Sequence, residues 1–136
     1  DHFKRVNDVH GHQAGDAVLV EIARRMTDSL RACDGLGRYG GEELLVVAPG
    51  HRFTSAREIG ERLRARIAQD PVVAGGVAIP VSASFGVTVS TPGATADALL
   101  RAADEALYRA KARGRNRVES SPDPEAQPDG RAEVAA

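Results

Sequence analysis

Residues 38–48 read RYGGEELLVVA, and this stretch decides how the chain is expected to fold. Paired glycines are typical of two-residue hairpin turns, where both central positions can require positive φ. We therefore expect strands 35–38 and 43–48 to pair across Gly40-Gly41. The hairpin tip then carries Glu42 and Glu43, whose carboxylates could hold a divalent cation against phosphates. A solvated turn with two exposed acids is the alternative.

Apolar periodicity predicts three helices, one before this hairpin and two after it. The first runs from about residue 14 and ends at Gly35, a typical C-terminal glycine. The second begins near Thr54 or Ser55 as the N-cap and stops at residues 70–71. The third follows Thr95 and continues to about Ala112. The positions expected to be buried include Val18, Ile22, Met26, Ile59, Leu63, Ile67, Leu99, Ala103, Ala106, Leu107 and Ala110.

The remaining segments are assigned as loops, strands and a tail. Residues 1–13 are polar and are expected to form a loop. Residues 77–89 are rich in β-branched residues and predict strands with a bend at Pro80, after a turn at residues 75–76. Residues 119–136 are acidic and rich in proline, so they predict a disordered tail, with Val118 ending the folded body.

Composition restricts the class of protein. Apolar residues make up 42% and charged residues 27%, as in ordinary globular domains. No apolar run approaches the length of a transmembrane helix, so this segment is expected to make no membrane contact. The single cysteine, Cys33, excludes an internal disulfide and favours a reducing compartment. The tail has a net charge of −4 and the rest of the chain has +3. A charge of +3 is far too small to indicate a nucleic-acid-binding surface.

Four motifs in this order and spacing resemble the GGDEF family, the diguanylate cyclases. They are residues 1–16 (DHFKRVNDVHGHQAGD), Arg31 with Asp34, residues 40–43 (GGEE) and residues 103–116 (ADEALYRAKARGRN). The resemblance implies a partial GGDEF catalytic domain over residues 1–118. Its implied fold is α+β, a nucleotide-cyclase-like (ferredoxin-like) two-layer sandwich with helices packed on a mostly antiparallel sheet. The family's first helix, central strand and a metal-binding aspartate precede the position of Asp1. We therefore expect an N-terminally truncated fragment that is active within a longer parent protein and inactive by itself.

The resemblance also implies the reaction. Two GTP molecules would condense into cyclic di-GMP with release of two pyrophosphates, assisted by Mg²⁺ or Mn²⁺. Each domain binds one GTP, so a homodimer would be needed, and an upstream sensor domain is expected in the parent. The supply of GTP implies a cytoplasmic location, although the parent could be tethered to a membrane upstream. A degenerate module that only binds GTP or cyclic di-GMP is the alternative.

Site residues are carried over from the motif positions they match. Glu42 would bind the metal, and Glu43 would organise the catalytic site, while Leu44 replaces the family's usual phenylalanine. Arg31, Asp34 and Arg62 match an inhibitory site for cyclic di-GMP, although an i,i+3 surface ion pair would also explain the first two. The positions that match GTP-binding residues are Phe3, Lys4, Asn7, Asp16, Gly40, Gly41, Lys111 and Arg115.

Each of these GTP-binding assignments has a structural alternative. Asn7 could simply occupy a turn, Asp16 could lie at a helix N-terminus, and Phe3 could be a core aromatic. Lys111 and Arg115 could complement the dipole at a helix C-terminus. If the third helix continues, these two basic side chains point the same way; otherwise Arg115 lies in the loop after Gly114.

Overall fold

The computed structural model describes residues 1–123, which form four helices and six strands. None of these helices has the length and hydropathy needed to cross a bilayer. In chain order, the elements are α1 (Phe3–His10), α2 (His12–Thr27), β1 (Gly35–Gly40), β2 (Glu43–Val47), α3 (Phe53–Ala68), β3 (Val72–Ala74), β4 (Val77–Ile79), β5 (Phe85–Val87), α4 (Ala96–Ala112) and β6 (Val118–Ser120).

The strands form three separate two-stranded ladders within the described residues. β1 pairs with β2, and β3 pairs with β4, both antiparallel, whereas β5 and β6 are parallel. The predicted α+β class with mostly antiparallel pairing is therefore confirmed. The bend predicted at Pro80 is also confirmed, because β4 ends at Ile79 and the next strand begins at Phe85.

Helices α2 and α3 carry the core. One cluster joins Met26 of α2 to Ile59, Leu63 and Ile67 of α3. Side chains from β1 and β2, and Phe85 of β5, pack against this same cluster. The shared cluster fixes the β1–β2 hairpin relative to β5, and α4 packs on β5 and β6. This arrangement fixes the position of the hairpin tip relative to the C-terminal end of α4.

Gly86 shows how closely α4 approaches β5. A Cβ at this position would lie 2.5 Å from the Leu107 backbone nitrogen and 2.9 Å from the Leu107 Cβ, and would collide with the Ala103 carbonyl. Real Cβ atoms do not tolerate such contacts with backbone, so only glycine permits this packing. The close contact holds α4 against β5, the strand that pairs with β6.

Arg25 is a charged residue inside the core. Its side chain is only 5% exposed, and its guanidinium donates to the carbonyls of Ile67, Asp70 and Pro71 as well as to Glu21. The last carbonyls of a helix lack intrahelical partners. Arg25 therefore satisfies the C-terminal end of α3 and joins it to α2.

The structure corrects the prediction of a loop over residues 1–13. Phe3–His10 is helix α1, and Gly11, with φ 86°, separates it from α2. Phe3 and Val6 pack against the cluster around Val18, so tertiary burial stabilises a helix of only eight residues. The first predicted helix also ends early, at Thr27, and Gly35 instead begins β1.

Three further boundaries differ from the prediction. Helix α3 begins at Phe53 with Arg52 at its N-cap position, so neither Thr54 nor Ser55 caps it. The short strand β3 was not predicted. The tail expected from residue 119 overlaps β6, because Glu119 and Ser120 pair with β5, and residues 124–136 lie outside the described part of the chain. Thr95, in contrast, caps α4 as predicted, since its side chain accepts from the Ala98 amide.

Candidate active site

The tip of the β1–β2 hairpin presents the two predicted carboxylates. Gly40 pairs with Glu43, so the two turn residues are Gly41 and Glu42, one position later than predicted. Gly41 has φ 50° and occupies the position where type II′ turns favour glycine. Arg38 donates through Nε to the Gly41 carbonyl at 2.8 Å and braces the turn. Glu42 is therefore exposed on the turn itself, while Glu43 begins β2.

Lys111 reaches this hairpin from the end of α4. Its Nζ lies 3.9 Å from Oε1 of Glu43, and both side chains are about half exposed. This contact joins residues that are far apart in the sequence. It shows that folding brings the C-terminal end of α4 to the GGEE turn, as a shared site requires.

Glu42, Lys111 and Arg115 all lie close enough to the Asp1 α-amino group to influence its pKa. Burial lowers the pKa of the Asp1 α-amino group; Glu42 acts in the opposite direction, and Lys111 and Arg115 lower the pKa further. All three side chains therefore act electrostatically on one point. The structure thus brings together two predicted catalytic carboxylates and both predicted phosphate-binding cations.

Arg115 does not extend α4, which ends at Ala112. It lies in a turn where Gly114, Arg115 and Asn116 have φ of 109°, 64° and 45°. Of the two geometries left open by the sequence, the structure therefore shows the loop beyond the helix. The Arg115 amide donates to the Ala110 carbonyl at 3.0 Å, which folds the turn back over the helix end.

Asn7 lies where α1 packs on α2, against buried Gly15. A Cβ on Gly15 would collide with Oδ1 of Asn7 and lie 3.0 Å from its Cγ. That Oδ1 atom is buried and has no hydrogen-bond partner among the described residues. An unsatisfied buried amide oxygen carries a free-energy penalty. Asp16, which follows Gly15, is exposed.

Phe3 and Lys4 differ in their environments. Phe3 packs in the core beside Val18, in agreement with the structural alternative for this residue. Lys4 is exposed on α1 and makes no hydrogen bond or ion pair within the described chain. Contact between Lys4 and a triphosphate stays a prediction.

The donor set at the hairpin tip suits a cation shared with a ligand. Residues 1–123 contain no cluster of three or more His, Cys, Asp or Glu side chains that could hold a metal by themselves. Within the same residues, nothing engages the Glu42 carboxylate in a hydrogen bond or ion pair. Mg²⁺ is commonly bound by one or two carboxylates together with substrate phosphates. Glu42 fits that arrangement.

Arg31 and Asp34 form a second candidate site at the turn before β1. The Asp34 carboxylate accepts from the Arg31 backbone N–H at 2.9 Å, and the Asp34 N–H donates to the Arg31 carbonyl at 3.0 Å. No side-chain ion pair joins the two in the described structure, so the surface ion-pair alternative is wrong. The Arg31 guanidinium instead lies 3.3 Å from Nδ1 of His51. Arg62 approaches the same turn by donating to the Ser29 carbonyl at 3.2 Å.

Two residues beside the site were not singled out from the sequence. The Asp1 carboxylate accepts hydrogen bonds from Ser82, Ser84 and the Asn116 amide. Gly15 provides the space that Asn7 occupies. A glycine inside a predicted helix signals a close approach, so Gly15 could have been found. No local signal points to the partners of Asp1, which are distant in the sequence.

Comparison with known proteins identifies the family of the chain. The diguanylate cyclase GGDEF domain model matches residues 1–117. The chain is 44% identical over 119 residues to the diguanylate cyclase DgcP of Pseudomonas aeruginosa, covering 88% of this chain but only 18% of DgcP.

Two solved structures share the fold. Diguanylate cyclase SiaD of P. aeruginosa, crystallised with its activator SiaC, superposes with a TM-score of 0.84 at 44% identity, covering 88% of this chain and 46% of SiaD. The GGDEF domain of DgcB from Caulobacter crescentus, in complex with c-di-GMP, gives 0.81 at 31% identity, covering 89% and 72%. The sequence motifs, the fold and these relatives together establish that the chain belongs to the diguanylate cyclase GGDEF domain family.

Proposed function

We propose that this chain is a catalytic domain that condenses two GTP molecules into cyclic di-GMP and releases two pyrophosphates. The observation that carries the proposal is the convergence of Glu42, Glu43, Lys111 and Arg115 at one end of the fold. Carboxylates for a divalent cation and basic groups for terminal phosphates are the two requirements of phosphoryl transfer. The family relationship supports the same chemistry.

Different residues would bind the guanine base, the phosphates and the cation. Asn7 and Asp16 would recognise guanine, since a carboxylate accepts from its N–H groups and an amide can satisfy the remaining edge. Lys111 and Arg115 would hold the terminal phosphates, which leave as pyrophosphate. Glu42 would hold Mg²⁺ or Mn²⁺, and the bound cation would neutralise charge on the reacting phosphates. Gly40 and Gly41 leave the hairpin backbone open to close approach, because no atom lies within 4 Å of a Cβ built at either.

The reaction requires two copies of the site. The 3′-oxygen of one GTP attacks the α-phosphorus of the other, the bond to pyrophosphate breaks, and the 3′-hydroxyl proton is released; a second such step closes the ring. Each domain holds one nucleotide, so we propose a two-fold symmetric homodimer in the cytoplasm, where GTP is available. We further propose control by a partner or sensor region, since the relative SiaD binds an activator.

Replacing Glu42 tests the proposed reaction. The full-length protein is incubated with GTP and Mg²⁺, and cyclic di-GMP and pyrophosphate are quantified. Glu42→Ala should reduce synthesis by at least about 100-fold, a loss typical of removing an electrostatic group from an active site. Glu58→Ala, an exposed acid on α3, is the matched control. Synthesis retained by Glu42→Ala would remove Glu42 from the cation site, and GTP binding without any wild-type product would favour the non-catalytic sensor.

We also propose that Arg31, Asp34 and Arg62 bind the product and inhibit synthesis. Their backbone contacts leave the Arg31 guanidinium free of Asp34, so it can clamp a phosphate or guanine. Arg31→Ala should leave initial synthesis rates intact and raise the concentration of cyclic di-GMP needed for half inhibition by at least about tenfold. Arg57→Ala, also exposed on α3, is the control. Unchanged inhibition in Arg31→Ala would make Arg31 an ordinary surface residue.

A further inference from the structure

The Asp1 carboxylate joins three segments of the chain. Oδ1 accepts from the Ser84 hydroxyl at 2.7 Å, and Oδ2 accepts from the Ser82 hydroxyl and the Asn116 backbone N–H, both at 3.1 Å. The Asp1 main-chain nitrogen also donates to the Ser82 carbonyl at 2.7 Å. A half-buried carboxylate with three donors on its two oxygens is held in a defined orientation.

The Asn116 amide that Asp1 binds belongs to the strained turn after α4. Arg115 and Asn116 both have positive φ, although neither is glycine. Such backbone conformations cost free energy and persist where surrounding contacts enforce them. Two further contacts brace the turn: Arg64 donates to Oδ1 of Asn116 at 3.0 Å, and Arg117 donates to the Arg115 carbonyl at 3.2 Å.

The direction of the Arg115 side chain depends on this turn. Arg115 lies outside the helix, so its position follows from the backbone angles at residues 114–116. With those angles, its charge acts on the same point as the charges of Glu42 and Lys111. A relaxed turn would carry the guanidinium away from Lys111 without disturbing α4 itself.

We propose that Asp1 is a positioning residue for the terminal phosphates of a nucleoside triphosphate, acting through the Asn116 amide on Arg115. The inference rests on the proposed function, because it needs Arg115 to bind phosphate. Asp1 touches neither nucleotide nor cation in this role. Its hydrogen bonds, more than its charge, are what the site requires.

Conservative substitutions separate this role from a charge or metal-binding role. Asn at position 1 can keep the geometry, since its amide oxygen accepts from Asn116 and its NH₂ donates to the Ser84 hydroxyl. Glu keeps the charge and displaces the carboxylate. We expect Asp1→Asn to bind GTP within about twofold of wild type, and Asp1→Glu and Asp1→Ala to bind about tenfold more weakly, as for one charge-assisted hydrogen bond. The reverse order, with Glu tolerated and Asn not, would overturn the proposal.

The experiment measures GTP affinity by calorimetry in the full-length protein with Mg²⁺, together with KM and kcat for synthesis. Asp1→Ala should raise KM much more than it lowers kcat, and should add nothing in an Arg115→Ala background. Independent, additive losses would overturn the proposal. Thermal unfolding identifies variants that do not fold. If Asp1→Ala does not fold, the GTP affinities of Asp1→Asn and Asp1→Glu test the proposal. Wild-type protein that bound no GTP would refute the proposed function instead.

Discussion

Replacing Gly15 with alanine should impair guanine recognition while leaving the fold intact. Gly15 is buried where α2 packs on α1, and the three atoms nearest to an added Cβ belong to the side chains of Asn7 and Phe3. That Cβ would collide with Oδ1 of Asn7 and lie 3.1 Å from Cζ of Phe3. The terminal amide of Asn7 can rotate or shift to relieve the contact. The amide group proposed to read guanine would then leave its place.

Opposing terms keep the effect on stability small. Alanine in a helix interior is favoured over glycine by about 1 kcal/mol. Overpacking costs roughly 1–3 kcal/mol, and the lower end applies because a flexible side chain gives way. The free energy of unfolding should therefore fall by no more than about 2 kcal/mol. The displaced amide, in contrast, leaves a guanine hydrogen bond unmade, which costs about 1–3 kcal/mol and weakens GTP binding roughly tenfold to a hundredfold.

The assay compares GTP and ATP affinity by calorimetry with the free energy of unfolding from urea titration. Gly15→Ala should bind GTP more weakly and lose preference for GTP over ATP, because the phosphate contacts remain. Gly37→Ala is the control, since no atom lies within 4 Å of a Cβ at that position. A folded Gly15→Ala protein with wild-type GTP affinity and preference would refute the assignment of Asn7 to guanine.

Two further predictions concern α2. Arg25→Met should lower the free energy of unfolding by about 3 kcal/mol, because it leaves the carbonyls of Ile67, Asp70 and Pro71 without their donor. Exposed Arg24→Met should cost much less, and equal urea midpoints for the two would contradict the buried role. Hydrogen bonds from Arg24 and then Arg25 lower the pKa of Glu21 from 4.5 to about 2. Because the folded-state pKa is depressed, this contribution to stability is complete above pH 4.5 and lost as the pH falls toward 2. Glu21→Gln should therefore flatten the acid limb of a plot of unfolding free energy against pH, and an unchanged limb would count against the hydrogen bonds.

The elements that sequence predicted well are those whose signals are local. The β1–β2 hairpin follows from two glycines and an apolar run, and α4 follows from Thr95 and its periodic apolar residues. Helix α1 was missed because two apolar side chains, Phe3 and Val6, stabilise it through contacts with α2. The parallel pairing of β5 with β6 could not be predicted from local sequence either, since the paired residues are more than thirty positions apart.

The same division holds for the candidate site. Glu43 and Lys111 were chosen as candidates from their motif positions, whereas their contact depends on the packing of α4 on β5. The precise turn position of Glu42 depended on a register irregularity between Arg38 and Gly40, which no pattern in the glycine pair reveals. Long-range support for the site, such as the contact between Asp1 and Asn116, was likewise unpredictable.

The charges at the site give a physical reason for the proposed divalent cation. Three carboxylates, those of Asp1, Glu42 and Glu43, stand near two cations, Lys111 and Arg115. In the proposed complex a triphosphate would add several negative charges that two basic side chains do not balance, and the cation proposed on Glu42 would supply the difference. The Lys111–Glu43 pair is long and half exposed, and such pairs contribute at most about 1 kcal/mol. In the proposed function Lys111 would therefore exchange Glu43 for a phosphate at little cost, while Arg115, held by its turn, would provide a fixed contact.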